Sequence, residues 1–453
     1  MTDPVDLPLR NQARAIATGQ TSAEEVMRAT LARIAARDPA LHAVVHLNDR
    51  ALDLAARWDA VPVADRPPLA GLPFGVKDIL DVASQPTRCG SHAHDAGPHD
   101  DAAAVAALCA AGMIPVAKLA TYEYALTGPA WDQPNPPARN PWNTDHVTGG
   151  SSSGSAAAVA GGLVRVALGT DTGGSIRSPA AYCGIAGLKP TFGAVPADGC
   201  FPLSPSLDVI GPLAACVEDA AMVMQALAPA TRAAEGLDRG ADGLRIGYAR
   251  DWFALAPDCD PAVLRAMDDA AATLSMLGAS IWLTALPDYE TLEIAGTVIL
   301  QAEALKVHRD GLRDRWDRYG ADARRNLVTG AVLDPEDLDA ARAAGRRFRG
   351  ALAEVFARVD LILAPTTLGP APAFADFADG PVWTAMRTLP FNLSGHPALS
   401  VPCGFTEAGL PLGAQLIAPH GHEARLCRAG HAFEMAGPHS ARPAIRAEPV
   451  ELA

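Results

Sequence analysis

The stretch Thr148 to Arg177, TGGSSSGSAAAVAGGLVRVALGTDTGGSIR, constrains this chain more than any other. It holds two knots of Gly and Ser. Glycine permits backbone angles and close approaches that a side chain blocks. Serine adds hydroxyls that can act as nucleophile, proton carrier or hydrogen-bond partner. The Ala-rich run from Gly154 to Gly162 reads as a short buried helix, and Val164 to Leu168 as the strand after it. The second knot, Gly169 to Ser175, leads into another helix. Each knot therefore sits at a turn into a helix N-terminus, where free N–H groups point outward.

The remainder of the sequence supplies a framework around that stretch. Ser22 and Glu25 form a capping box, with Met27, Leu31 and Ile34 following at helical spacing. Residues 42–47 read as a strand and 48–58 as a helix. Residues 102–111 read as a helix capped by Asp100 or Asp101 and stopped by Gly112. Met113 to Ala117 is the next strand. Further strands are expected at 244–248, 279–283, 360–364, 397–402 and 413–417, with helices at 217–227, 261–277 and 422–435. Residues 290–358 read as largely helical. Strands alternating with helices predict an α/β fold, a twisted mixed β-sheet between layers of α-helices. Length alone allows about three domains. With no repeat and no low-complexity linker, the chain reads as a single domain over 1–453, its core at about 65–215 and a pocket-covering helical region at about 285–358.

Bulk properties exclude several function classes. The 37 basic and 51 acidic side chains leave a net charge of −14. That argues against a nucleic-acid surface, which needs a basic patch. No window approaches a membrane span. The N-terminus, MTDPVDLPLRNQ, lacks the basic and apolar regions of a signal peptide. The eight cysteines are scattered and form no CxxC pair, as expected of free thiols in a reducing cytoplasm.

One charged residue stands out. Phe74-Gly-Val76 reads as a buried strand, yet it ends in Lys77. Either Lys77 reaches the surface or pairs with Asp78 or Asp81, or burial holds it neutral so that it can accept a proton. For the knots themselves, a nucleotide loop is excluded, since neither ends in Gly-Lys-Ser/Thr and no GxGxxG is present. Gly150 to Gly154 matches the G-x-S-x-G of a nucleophile elbow centred on Ser152. An elbow needs a strand immediately before it, and the turn-like residues 141–148 precede this one.

A longer pattern accounts for more of the chain. GGSSSGSAAAVAGG followed by LGTDTGGSIRSPAAYCGIAGLKPT resembles the amidase signature family. GVKD around Lys77, NPWN before the first knot, SLDVIGP at Ser206 to Pro212, APTT at Ala364 and NLSGHPALSVPCGF near the C-terminus lie in that family's order. The resemblance spans residues 10–435. It implies a Ser–cis-Ser–Lys triad, with Ser175 as nucleophile, Ser151 as bridging serine across a cis Gly150–Ser151 peptide, and Lys77 as base. It also implies an oxyanion hole from the N–H groups of Thr172, Gly173, Gly174 and Ser175, with Asp171 and Arg177 holding the knot. Leu126 and Thr127 fall where family members line the acyl pocket, and Trp131 and His396 are further lining candidates. Cys183 is expected in the core.

The implied reaction is hydrolysis of a C–N bond in a small, aryl or alkyl amide, with carbamates and esters chemically adjacent. The family also contains the ammonia-producing component of a tRNA-dependent amidotransferase, which works on glutamine. No cofactor and no metal are expected, although Ser91-His-Ala-His-Asp95 with His99 and Asp100 has metal-ligating residue types. The expected partner is a small-molecule amide or carbamate, with no nucleic acid and no membrane; a homodimer is compatible with the sequence. One departure from the family's commoner pattern is Ser153, where many members have Gly.

Overall fold

The computed structural model describes residues 3–83, 85–94, 97, 100–126, 128–437 and 443. Eleven strands run along the chain: β1 Val44–Leu47, β2 Pro73–Lys77, β3 Ile114–Leu119, β4 Val166–Asp171, β5 Ala186–Lys189, β6 Val209–Ala214, β7 Arg245–Tyr248, β8 Ser280–Leu283, β9 Leu361–Pro365, β10 Ala398–Phe405 and β11 Pro411–Ile417. They form one mixed sheet in the order β1-β3-β2-β4-β6-β5-β10-β11-β9-β7-β8. β2 lies between β3 and β4 and is parallel to both. β4 runs antiparallel to β6 over its whole length. The central strands are buried on both faces, as near-continuous apolar runs require when helices cover both sides.

The local signals explain most element boundaries. Ser22 and Glu25 make both bonds of the capping box that starts the helix Ala23–Leu41. Gly112 has φ 95°, a left-handed position that ends the helix Ala103–Ala110. The start of that helix differs from expectation. Its N-cap is Ala102, with no side-chain cap, and Asp101 instead accepts the N–H of Ala83 at 2.6 Å.

Two strands escaped the sequence reading. β5 and β6 carry Gly187, Gly211 and Pro212, which look like punctuation. Here the glycines serve close backbone approach. A Cβ at Gly211 would lie 2.2 Å from the carbonyl oxygen of Leu188. The helical region resolves into Tyr289–Arg315, Ala321–Val328 and Pro335–Phe356. These pack as a second apolar cluster, through Ile299, Phe348 and Phe391, beside the main core that flanks the sheet.

The helix Ser153–Ala160 is fully buried and rests directly on the strands. A Cβ at Gly154 would sit 2.3 Å from Ala120 N and 2.5 Å from Ala43 O, both backbone atoms that cannot swing away. Alanine ordinarily stabilises a helix interior by about 0.5–1 kcal/mol over glycine. Overpacking costs about 1–3 kcal/mol and wins here. Gly154→Ala is therefore expected to lower the urea unfolding midpoint. A raised midpoint would mean that the helix can lift from β1 and β3.

Candidate active site

Three chain segments converge on one cavity of about 420 Å³. The first is β2, whose last residue is Lys77. The second is the turn at Gly149 to Ser152, entering the helix Ser153–Ala160. The third is the turn after β4, entering the helix Arg177–Cys183. Ser151, Thr172, Gly173, Gly174 and Ser175 all line the cavity. β4 ends at Asp171 rather than near 168, so the second knot begins where the sheet stops and its backbone is free to turn.

Lys77 is completely buried and forms no ion pair among the described residues. Its Nζ donates to Ser151 Oγ at 2.7 Å and to Thr170 Oγ1 at 2.8 Å. Burial penalises the ammonium and lowers its pKa to about 7, although Asp208 and Asp171 act in the opposite sense. The pairing with Asp78 or Asp81 allowed by the sequence does not occur. Asp78 instead pairs with the buried Lys118 at 2.9 Å.

The first knot needs its glycines because Tyr122 covers it. A Cβ on Gly150 would lie 2.2 Å from Tyr122 Cε2. The Gly150–Ser151 peptide is cis, as the resemblance implied. Ser153 does not occupy a left-handed position; it begins the helix and its Oγ donates to Ala120 O at 3.3 Å. Serine in place of glycine is therefore accommodated. Ser152, the centre of the elbow motif, is buried outside the cavity. Its Oγ donates to Thr170 O at 3.2 Å and accepts Thr170 N–H at 3.3 Å, so it latches the knot to β4. No strand precedes it. This geometry removes the esterase alternative.

The second knot is held by a buried ion pair. Arg177 Nη2 meets Asp171 Oδ1 at 3.0 Å and Arg177 Nε donates to Oδ2 at 3.0 Å. Arg177 also donates to Asn392 Oδ1 at 2.7 Å, Gln415 Oε1 at 3.0 Å and Thr388 O at 3.0 Å. Burial alone would raise the Asp171 pKa, but Arg177 overrides it and brings the carboxyl down to about 2. Asp171 in turn accepts N–H groups from the turn, including Gly174 at 2.9 Å and Ile176 at 3.2 Å. Gly174 therefore departs from expectation. Its N–H is committed to Asp171, and its residue type answers to sterics: φ is 137°, and a Cβ would lie 2.4 Å from Thr388 Oγ1.

Other expected residues separate on inspection. Leu126 lines the cavity. Thr127, Asp95 and His99 lie outside the described residues. Trp131 does not line it; it packs on Phe374 in a separate surface groove. His396 is buried away from the cavity, stacked between Phe356 and His420. Cys183 is in the core. Among the described residues no group of three or more His, Cys, Asp or Glu converges as metal ligands, and no helix is long and apolar enough to cross a membrane. Residues the sequence reading missed are Thr170, the second partner of Lys77, and Asp208, which accepts Thr172 Oγ1–H at 2.6 Å. Thr170 had a signal: it sits one residue before Asp171, on the opposite face of β4.

An eleven-stranded mixed sheet that brings a buried lysine and two Gly/Ser turns to one cavity defines the class of amidase signature enzymes, which act on C–N bonds. The chain belongs to that family: the Amidase family model matches residues 25–427. A curated relative from Exiguobacterium sibiricum, the first of the subunits of its glutamyl-tRNA(Gln) amidotransferase, is 35% identical over 469 residues, covering 94% of this chain and 97% of its own. Among solved structures, a chain of the vestigial protein complex that reveals the evolutionary origins of an s-triazine catabolic enzyme superposes with a TM-score of 0.88. It is 33% identical and covers 96% of this chain and 100% of its own. The peptide amidase of Stenotrophomonas maltophilia superposes with a TM-score of 0.84 at 30% identity, covering 97% and 99%.

Proposed function

We propose that the chain hydrolyses an amide C–N bond through an acyl-enzyme on Ser175. The observation that carries this reading is a fully buried lysine bonded to Ser151, on a cavity that also holds Ser175. In its neutral form Lys77 has a lone pair for the proton that Ser175 must lose. Ser151 passes that proton from Ser175 Oγ to Lys77 Nζ. Ser175 Oγ attacks the carbonyl carbon, and the resulting oxyanion is met by the N–H groups of Thr172, Gly173 and Ser175. Such donors are worth about 2.7–4 kcal/mol each in the transition state. The proton returns through Ser151 to the leaving nitrogen, and water then releases the acid. A quenched reaction with an activated amide should leave an acyl adduct on the peptide containing Ser175. An adduct confined to another serine would sink the assignment.

Two substrate readings have separate support. The sequence relatives favour the amidotransferase reading, in which this chain makes ammonia from glutamine beside partner proteins. The peptide amidase likeness, and a cavity whose described lining contains no Lys or Arg, favour a free amidase for small, aryl or alkyl amides, with carbamates as close substrates. Purified chain alone decides between them. Ammonia from simple amides without ATP or partner supports the free amidase. Activity confined to glutamine, and raised by partner proteins, supports the amidotransferase.

A further inference from the structure

Beyond the reacting groups, the cavity has a polar wall built on one helix. Glu293, Thr297, Leu300 and Gln301 of the helix Tyr289–Arg315 all line it, and their spacing puts them on one helix face. Glu293 is the only charged side chain among the described lining residues. Its Oε1 accepts the Trp383 indole N–H and the Tyr289 hydroxyl, each at 2.9 Å, which fixes the carboxylate. Gln301 Nε2 donates to Asn326 Oδ1 at 2.8 Å, which turns Gln301 Oε1 away from that bond. That oxygen is buried and no described protein group donates to it. A buried acceptor without a donor is costly, and a ligand N–H removes the cost. The nearest cation to this wall, Arg387, does not line the cavity. It lies over the Tyr289 ring at 3.9 Å and gives its guanidinium to the carbonyls of Trp252 and Met386.

We propose that Glu293 and Gln301 form a donor-recognising subsite, selecting amides that carry an ammonium or other N–H group away from the scissile carbonyl. A carboxylate at the same place meets two acceptors and no cation. The inference deepens the amide-hydrolysis reading and rests on it for the catalytic half of its test.

The test compares 6-aminohexanamide, hexanamide and adipic acid monoamide, which share a chain and differ in end-group charge. Ammonia release by the wild type is expected to fall in that order. Glu293→Gln keeps an acceptor for Trp383 and Tyr289, so the wall stays in place. It should cut the preference for the ammonium substrate over the neutral one about ten-fold, the size of one charge-assisted hydrogen bond. Glu293→Lys should favour the carboxylate substrate instead. A merely structural role would slow all three equally and leave the ratio unmoved, which overturns the proposal, as does a wild type that prefers the carboxylate. Calorimetric binding of the same three compounds to Ser175→Ala reads the subsite without turnover. Should the wild type hydrolyse none of them, the amide-hydrolysis reading fails, and the binding order alone upholds or overturns the subsite.

Discussion

Lys77→Met is expected to remove a factor of about 10²–10⁴ from kcat, the contribution of a positioned general base, while the chain stays folded. Ser175→Ala should reduce turnover to the same floor or below, because no nucleophile remains. Methionine matches the lysine stem in length and removes a buried amine, so folding should survive. The pH dependence follows from the same burial. Lys77 works as a base only when neutral, and its pKa is lowered to about 7. Wild-type kcat/KM should therefore rise with pH and level off above about 7. Stability has the matching sign. The unfolded chain binds the lysine proton up to about 10.5, so the unfolded state holds more protons between about 7 and 10.5. Stability should rise with pH across that window. Lys189, also buried and lowered to about 7, adds a parallel slope, so Lys77→Met should remove only part of it. A Lys77→Met enzyme near full activity, or a flat profile from pH 6 to 9, defeats the base assignment. Ser152→Ala inactive beside an active Ser175→Ala would falsify the triad.

The parts legible from sequence were those with a local physical cause. Apolar runs bounded by Gly and Pro mark β2, β3 and β9. The capping box at Ser22 and the stop at Gly112 follow from single-turn chemistry. Lys77 could be singled out because a lysine closing an apolar strand is costly to bury. What the sequence left open there was solvation, since whether the amine reaches water depends on β3 and β4 closing on either side of it. β6 was hidden because Gly211-Pro212 looks like a turn until Leu188 comes within reach of Gly211. Trp131 was misplaced because it comes from an irregular loop, where proximity in sequence to the knot says little about direction. The polar wall at Glu293 and Gln301 was invisible. Its helix lies more than a hundred residues beyond Ser175, and its facing partners, Trp383 and Asn326, come from further segments still.

The Asp171–Arg177 pair carries the second large prediction, and it concerns stability more than chemistry. Both side chains are fully buried, and their remaining bonds reach Thr388, Asn392 and Gln415, more than 200 residues away. Arg177 therefore ties the helix after Ser175 to β11 and to the helix Leu389–Leu393. Arg177→Leu removes one partner and leaves a buried carboxylate with no countercharge. Breaking such a pair costs about 3–5 kcal/mol, much more than a surface ion pair returns. A urea titration at neutral pH should show a loss of that order. The pH response separates this cause from simple loss of packing. In the wild type the Asp171 pKa lies near 2, below its ordinary value of 3.8, so its stabilisation is complete above about 4 and fades as pH falls toward 2. In Arg177→Leu, burial acts unopposed and the pKa lies above 3.8. The native state then takes up a proton before the unfolded state does, so acid narrows the stability gap to wild type. A gap that stays constant from pH 7 to pH 4 would mean that Arg177 acts through its packed volume and hydrogen bonds, and that its charge contributes little. Because Asp171 also holds the N–H groups of Gly174 and Ile176, the substitution should lower kcat as well, through displacement of the turn that presents Ser175. Restoring the charge with Arg177→Lys should recover part of the stability but less of the rate. A single ammonium cannot reproduce the two-pronged contact with Asp171 that sets the angle of that turn.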